Sequence, residues 1–531
     1  MWSLLRLILV GAVMGCGNVW AADLASEIAG AAGKPVTFVI DQPVSVSSNL
    51  TIPANVVLEF KNNGQLDLAS GVKLEFNGKI QAVRTEIFTG SGKVCGRPQV
   101  DAVFPEWFGA GKVNRGDDAP ALQKAIDFAL SGTVYSVPGQ WGERAIPVDL
   151  GCNKYYLKSG VKGSLYLNLR GNNATLTVLD GFPNDAFAVS VELEKGRAPY
   201  PLPAAVQISG IQFESFPNAI SVKSSNADQS QVMINACRFA SIGSNFYLKE
   251  NVAKPEYCSP DFKLGTAIYM NSQSSLNRIT DCRFSHCHRV LYLASGDYTV
   301  MDRAWISTRA IVQDEKITGL RYSPIVVKGG YLIMRDSMGI PTRRGSLTKI
   351  WGTPEGYPGY PEPKKDPSII YANQAENAWI ANYAGVYCEN VRFGGEYGGF
   401  AAVNNFAPAT LYKLYQVKIV NSMLRQEFNE PAVRLFAIPN LLDVSDNYGM
   451  SCYCYGRFSF EGKDYRFKIG KILEFAPSLS AEDKQKILLP DNMRHVSIHV
   501  GNNHNALGLR FEDIKANMIP PELIPFTVLR K

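Results

Sequence analysis

A chain of 531 residues is long enough for two or three ordinary domains, or for one elongated domain with smaller ends. Its composition, 46% hydrophobic and 19% charged with 46 Gly, 24 Tyr and 26 Phe, describes a folded, turn-rich, aromatic protein and excludes a disordered chain. A net charge of +6 is too small for a nucleic-acid-coating surface, so no nucleic-acid partner is expected.

The chain opens with MWSLLRLILVGAVMGCGNVWAAD, one Arg followed by an apolar run and small residues, which is the layout of a secretory signal over residues 1–21. Cleavage after Ala21 fits this layout, and lipoprotein processing at Cys16 is the alternative. Either route predicts a protein that is secreted, periplasmic or on the surface of a bacterial cell. No later apolar run is long enough to span a bilayer, so no transmembrane segment is expected. Removal of Cys16 leaves an odd number of scattered cysteines. Cys95 with Cys152, and Cys452 with Cys454, stay open as bridges.

Residues 22–100 read as an N-terminal β-repeat module, because IPANVVLEFKNNGQLDLASGVKLEFNGKI recurs at about sixteen residues: Val56 with Val72, Leu58 with Leu74, Phe60 with Phe76. A helix is expected within PEWFGAGKVNRGDDAPALQKAIDFALSGTVYSVPG (Pro105 to Gly139), with Asp117 or Asp118 at its N-cap and Ala121, Leu122, Ala125, Ile126 and Ala129 on its apolar face.

Beyond it, VQISGIQFESFPNAISV (from Val206), VMINACRFASIGSNFYL (from Val232) and NRITDCRFSHCHRVLYL (from Asn277) align without a gap. VYCENVRFGGEYGGFAA (from Val386) is a looser copy, and VKIVNSML (from Val417) opens another. Each copy holds two period-two strands around a tight turn. A strand pair that cannot bury its apolar side alone must stack on the next copy, which predicts an all-β solenoid with shared inward columns. Ile208, Ile234, Ile279 and Cys388 form one column, and Phe213, Phe239, Phe284 and Phe393 another. Two cysteines and two histidines crowd into ITDCRFSHCHRVLYL, but Cys282 falls in a column with Ile211, Cys237 and Val391, where a buried thiol acts as a small hydrophobe. No metal and no cofactor are expected. Residues 351–367, rich in Pro and Gly, read as a long loop, and residues 451–531 lose the column pattern, carry a short helix near Ala481 to Ile487 and read as a C-terminal cap region.

These repeats, with the W-F-G-A, G-D-D, A-x-Q-x-A-I and G-T-V signals of residues 105–139, resemble the pectate-lyase-like superfamily of right-handed parallel β-helices, which also includes phage tailspikes. The resemblance implies such a β-helix over residues 101–450, closed at its entry by the helix. It also implies a substrate groove over the strand that carries AISV, NFYL, AIYM and VLYL. The outward column of that strand is Ser221, Tyr247, Tyr269 and Tyr292. The tyrosines are either ordinary strand formers under a loop or a flat strip for sugar rings. Asn218, Ser244, Thr266, His288, Arg289 and Arg309 precede the strand at the expected groove mouth. His288 and Arg289 occupy the column where polygalacturonase-like relatives carry an Asp-Asp pair.

Elimination from a uronate needs a base and a cation, roles open to His288 with Arg289 or Arg309, and Tyr292 can serve as acid or base. Hydrolysis needs two carboxyl groups. Glu214, Asp281, Asp297, Asp302, Glu396 and Glu430 are candidates, with no motif singling out a pair. The two basic residues can equally be solvated turn residues. The expectation is an exported protein acting on an acidic polysaccharide by β-elimination or glycosidic hydrolysis. The alternatives are a non-catalytic polysaccharide-binding adhesin or tailspike-like protein, or a structural solenoid. Homo-oligomer formation is compatible with each.

Overall fold

The computed structural model describes residues 15–18, 24–112 (without 32), 116–132, 145–193 (without 165), 205–224, 231–246, 262–271, 276–308 (without 296–297) and 325–341 (without 328–329). Beyond these it describes residues 370–373, 383–393, 402–404, 414–424, 433–435, 441–447, 454–460, 463–469, 473–475, 496–501 and 526–528. The expected loop at 351–367 and a short helix expected near 481–487 lie outside them. The chain divides into two units, residues 1–183 with 188–212, and 184–187 with 213–531.

In the first unit, nine short strands wind as three-sided coils. Val36–Ile40 pairs in parallel with Val56–Phe60 and that strand with Lys79–Gln81. Pro43–Val46, Gln65–Leu68 and Phe88–Gly90 form the second side, and Leu50–Ile52, Lys73–Phe76 and Lys93–Cys95 the third. Alternation drives this: Leu58, Leu66, Leu74 and Phe76 point inward and are fully buried, while their sequence neighbours are not. The sixteen-residue recurrence is one between sides of a coil rather than between coils. Leu58 registers with Phe38 and Ile80, and Leu74 with Leu50 and Val94, so Leu58 and Leu74 lie on different sides of one coil. Glycine is required where corners close on the coil before: a Cβ on Gly64 would stand 1.8 Å from the Ile40 carbonyl oxygen.

The expected helix runs over Ala119–Ser131 and buries Ala121, Leu122, Ala125, Ile126, Phe128 and Ala129. Phe128 meets Phe88 and Phe108 edge-on at 6.1 Å. Asp118 holds the N-cap position, yet the capping bond comes from Asp117, whose Oδ1 accepts the Ala119 N–H at 3.0 Å. The Asp118 carboxylate instead accepts the N–H groups of Gly111 and Tyr156, each at 2.8 Å, so it ties the helix start to the strand Lys154–Leu157. Cys95 is a buried free thiol and Cys152 an exposed one, so the bridge left open between them is not formed.

The second unit is built from parallel stacks. One runs Gln231–Asn235, Leu276–Thr280, Tyr298–Asp302, Tyr331–Arg335, Tyr383–Glu389, Leu414–Val420 and Leu441–Ser445. Its inward column reads Ile234, Ile279, Met301, Met334, Cys388, Ile419 in register. A second stack runs Arg238–Ala240, Arg283–Cys287, Trp305–Thr308, Met338–Pro341 and Arg392–Phe393, with Phe239, Phe284, Ile306, Gly339 and Phe393 in one column. Between the two stacks each coil turns on one residue in the left-handed region: Ala236, Asp281, Arg303, Asp336, Asn390, Asn421 and Asp446, with φ from 45° to 57°. Asn and Asp tolerate this region best among residues with a Cβ, and they fill five of the seven positions. The turn does not break the hydrogen-bond ladder, because Asp281 N–H donates to Asp302 C=O at 3.0 Å and Arg303 N–H to Arg335 C=O at 3.2 Å. Just past the turn, Cys237 and Cys282 point inward as buried thiols, neither of them in a disulfide.

A third stack joins Ile220–Ser224, Thr266–Asn271, Arg289–Ser295, Ile325–Val327, Ile370–Asn373, Ala402–Asn404 and Val433–Leu435. It ends on Cys454–Phe460, which turns back antiparallel through Lys463–Ile469 and Leu473–Phe475. Long parallel sheets of this kind are those of a β-solenoid.

Candidate functional site

Ser221, Tyr269 and Tyr292 stand in register on the third stack, as the alternation required. They are not an open strip: their exposures are 1%, 6% and 2%. Residues 184–187 lie across them. The Phe187 ring packs 5.9 Å from that of Tyr269, which lies 5.5 Å from that of Tyr292, and Ala294 and Val326 complete the cluster. Asn218 holds the cover in place. Its side-chain Nδ2 donates to the carbonyls of Asn184 at 3.0 Å and Ala186 at 2.9 Å, and its Oδ1 accepts the Gly265 N–H at 2.7 Å. Burial pushes the Tyr269 phenol above its ordinary pKa.

His288 and Arg289 are likewise enclosed, both at 0% exposure, which corrects their expected position at an open groove mouth. The Arg289 guanidinium lies 5.6 Å from the Tyr292 ring, and His288 meets Phe262 edge-on at 6.3 Å. Thr266 is also fully buried, its hydroxyl donating to the Lys263 carbonyl at 2.8 Å. The physical reason is the close stacking of neighbouring coils: Gly243 lies against His288, and the Arg289 N–H donates to the Gly265 carbonyl at 2.9 Å. Tyr247, Arg309, Asp297, Glu396 and Glu430 lie outside the described residues.

Asp281 and Asp302 belong elsewhere, on the turn and strand end between the first two stacks. Arg303 joins them: its Nε and Nη2 contact the two Asp281 oxygens at 2.7 and 2.8 Å, and its Nη1 contacts Asp302. The Arg303 hydrogen bond holds the Asp281 carboxyl below the usual carboxylate range. A carboxyl so held stays ionised and is a poor general acid.

The outer face of the first stack carries residues that column reading of the sequence passed over. Tyr298 and Tyr331 are in register with ring centroids 5.7 Å apart. In the next outward column Tyr387 has the Arg335 guanidinium 5.5 Å and the Lys418 ammonium 5.4 Å from its ring centre, and its hydroxyl donates to Glu389 at 2.7 Å. Arg335 reaches Glu389 at 3.4 Å and Lys418 reaches Asp443 at 3.5 Å. The signal was present in YTVMD and YLIMR, whose Tyr-x-x-Met spacing sets Tyr opposite the inward Met, although only Tyr298 is half-buried and Tyr331 is covered to 9% exposure.

A second polar network, also unforeseen, lies in the first unit. Glu106 accepts hydrogen bonds from the Tyr155 hydroxyl at 2.7 Å and Asn153 Nδ2 at 2.5 Å, with Arg84 Nε at 3.4 Å. Asp149 binds Arg84 at 3.4 Å and Arg170 at 3.1 Å. Burial, then the Glu106 charge, raises the Tyr155 pKa far above its ordinary value. The network ties the turn Pro105–Phe108 to the strands around residues 149–170, a structural lock rather than an open site.

Among the described residues no group of three or more His, Cys, Asp and Glu side chains is arranged to hold a metal ion, and no helix is long and apolar enough to cross a membrane. No protein-family model matches the sequence, and no curated protein matches it. A solved structure from Geobacillus virus E2, ORF18, aligns at 11% identity over 71% of this chain and 63% of that chain, with a TM-score of 0.33.

Proposed function

We propose that the protein is an exported right-handed parallel β-helix of the pectate-lyase-like kind that binds an acidic polysaccharide without cleaving it. The contact surface in this reading is the outer face of the second unit's first two strand stacks. The observation that carries it is the half-buried Tyr387 with the Arg335 guanidinium and the Lys418 ammonium beside its ring, together with the half-buried Tyr298 in the adjacent outward column, which the buried Tyr331 backs. Coils repeat at about 4.8 Å, so outward side chains of successive coils can follow a polymer laid along the stack.

Catalysis is the weaker reading. A base must come within hydrogen-bond reach of the proton it removes, and a fully enclosed His288 is out of reach of a polymer. The test is a panel of neutral, uronate-containing, sulfated and phosphorylated polysaccharides in affinity electrophoresis. It is combined with assays for unsaturated ends and new reducing ends. Retention without new ends, weakened by Tyr298→Ala and Tyr387→Ala at unchanged circular dichroism, is expected. New ends with wild-type protein would make it an enzyme, and no retention on any polymer would overturn the reading.

A further inference from the structure

The second stack carries an outward column that the tyrosine face does not include: Arg238, Arg283, Trp305, Met338 and Arg392, in register from coil to coil. Arg238 and Arg283 are exposed and directly opposite one another. Like charges facing across a strand pair repel. The structure supplies no relief, since among the described residues neither guanidinium makes an ion pair; the nearby Asp281 and Asp302 are both taken by Arg303. Arg283 is also held in orientation, its guanidinium stacked 4.4 Å from the centre of the Trp305 ring. Two planar forks at one strand spacing, about 4.8 Å, with one already oriented, form a site awaiting an anion.

We infer that Arg238 and Arg283 form a clamp for a tetrahedral oxyanion, a sulfate or phosphate ester carried by the bound glycan. The number of acceptors decides between anions. A carboxylate offers two oxygens and is satisfied by one guanidinium fork, whereas a sulfate ester or a phosphate monoester offers three terminal oxygens and can engage both forks together. The clamp rests on the polysaccharide-binding reading and names the charged group that the glycan carries.

The experiment compares dextran sulfate, a dextran phosphorylated as monoesters, polygalacturonate and neutral dextran by biolayer interferometry at fixed ionic strength. Wild-type protein is set against Arg238→Lys/Arg283→Lys, which keeps the charge and loses the forks, and against Arg238→Ala/Arg283→Ala. The ester polymers should bind best, and the Lys pair should lose about tenfold in affinity for them, the scale of one charge-assisted hydrogen bond. Polygalacturonate and dextran should be little affected by the Lys pair. Sulfate and phosphate arms separate the two esters, since one of them losing affinity suffices. Equal affinity of the Lys pair for every polymer, or a loss confined to polygalacturonate, overturns the clamp while leaving glycan binding in place. Absence of binding to all four polymers overturns both.

Discussion

Phe239 and Phe284 lie face to face, ring centroids 4.9 Å apart and planes inclined by 5°, and Phe213 continues the stack at 5.2 Å from Phe239. All three are fully buried. Replacing Phe239 or Phe284 by Ala removes one ring from a packed pile and leaves a cavity that coils fixed above and below cannot close. A loss of about 3–5 kcal/mol is expected, read from urea denaturation or, where unfolding is irreversible, from the unfolding rate.

Asn218→Ala should free the strap over the tyrosines. Three hydrogen bonds at a fully buried side chain are lost, and the carbonyls of Asn184 and Ala186 lose their donor. Hydrogen exchange in residues 184–187 should quicken, and Tyr269 and Tyr292 should become accessible to a tyrosine-modifying reagent. A stability loss of about 1–3 kcal/mol should accompany it. Unchanged exchange in the strap would assign its anchoring to other contacts.

Of the thiols whose side chains are described, Cys152 is exposed and Cys95, Cys237, Cys282, Cys287 and Cys388 are buried. Burial pushes the Cys287 thiol up to about 12 and raises that of Cys95; Cys282 is raised first by its hydrogen bond with Cys237 and then by burial. Only thiolate reacts, so native protein treated with a disulfide reagent at pH 8 should label Cys152 and spare the other five, which peptide mapping would show. All should label in denaturant.

Tyr155 predicts an alkaline limb to stability. Its folded pKa lies above the unfolded value near 10, so its contribution is intact below pH 10 and falls as pH rises beyond it, where the unfolded chain ionises first. The urea midpoint of the wild type should drop between pH 9 and 11 more steeply than that of Tyr155→Phe. Parallel slopes would remove Tyr155 as the source.

The helix at 119–131 and the Phe column through residues 213, 239, 284 and 393 were legible in the sequence because period and column repeat without interruption. The coils that place Ile306 and Gly339 between Phe284 and Phe393 were not. Their column residue is not aromatic, and the connections between coils vary too much for gap-free alignment. The outward direction of Tyr269 and Tyr292 followed from alternation, but their cover did not. It comes from residues 184–187, distant in sequence and held by two asparagines, Asn218 and Asn245, that look like any turn residues. Alternation says which way a side chain points and nothing about what lies above it.

The left-handed turn residues carry one further consequence. Asp281 and Arg303 occupy equivalent corners 22 residues apart, and Asp336 and Asn390 equivalent corners 54 apart, yet both pairs of coils meet through the same backbone bond at the corner. Chain length between coils is thus uncoupled from register. Polar insertions placed in the connections should be accepted at little cost, because lengthening a closed loop adds entropy cost only logarithmically. A single residue added beside Asp281 should not be, since it would rotate every following side chain of that coil from wall to solvent. The stack is therefore a frame whose loops are free to diversify while its corners are not.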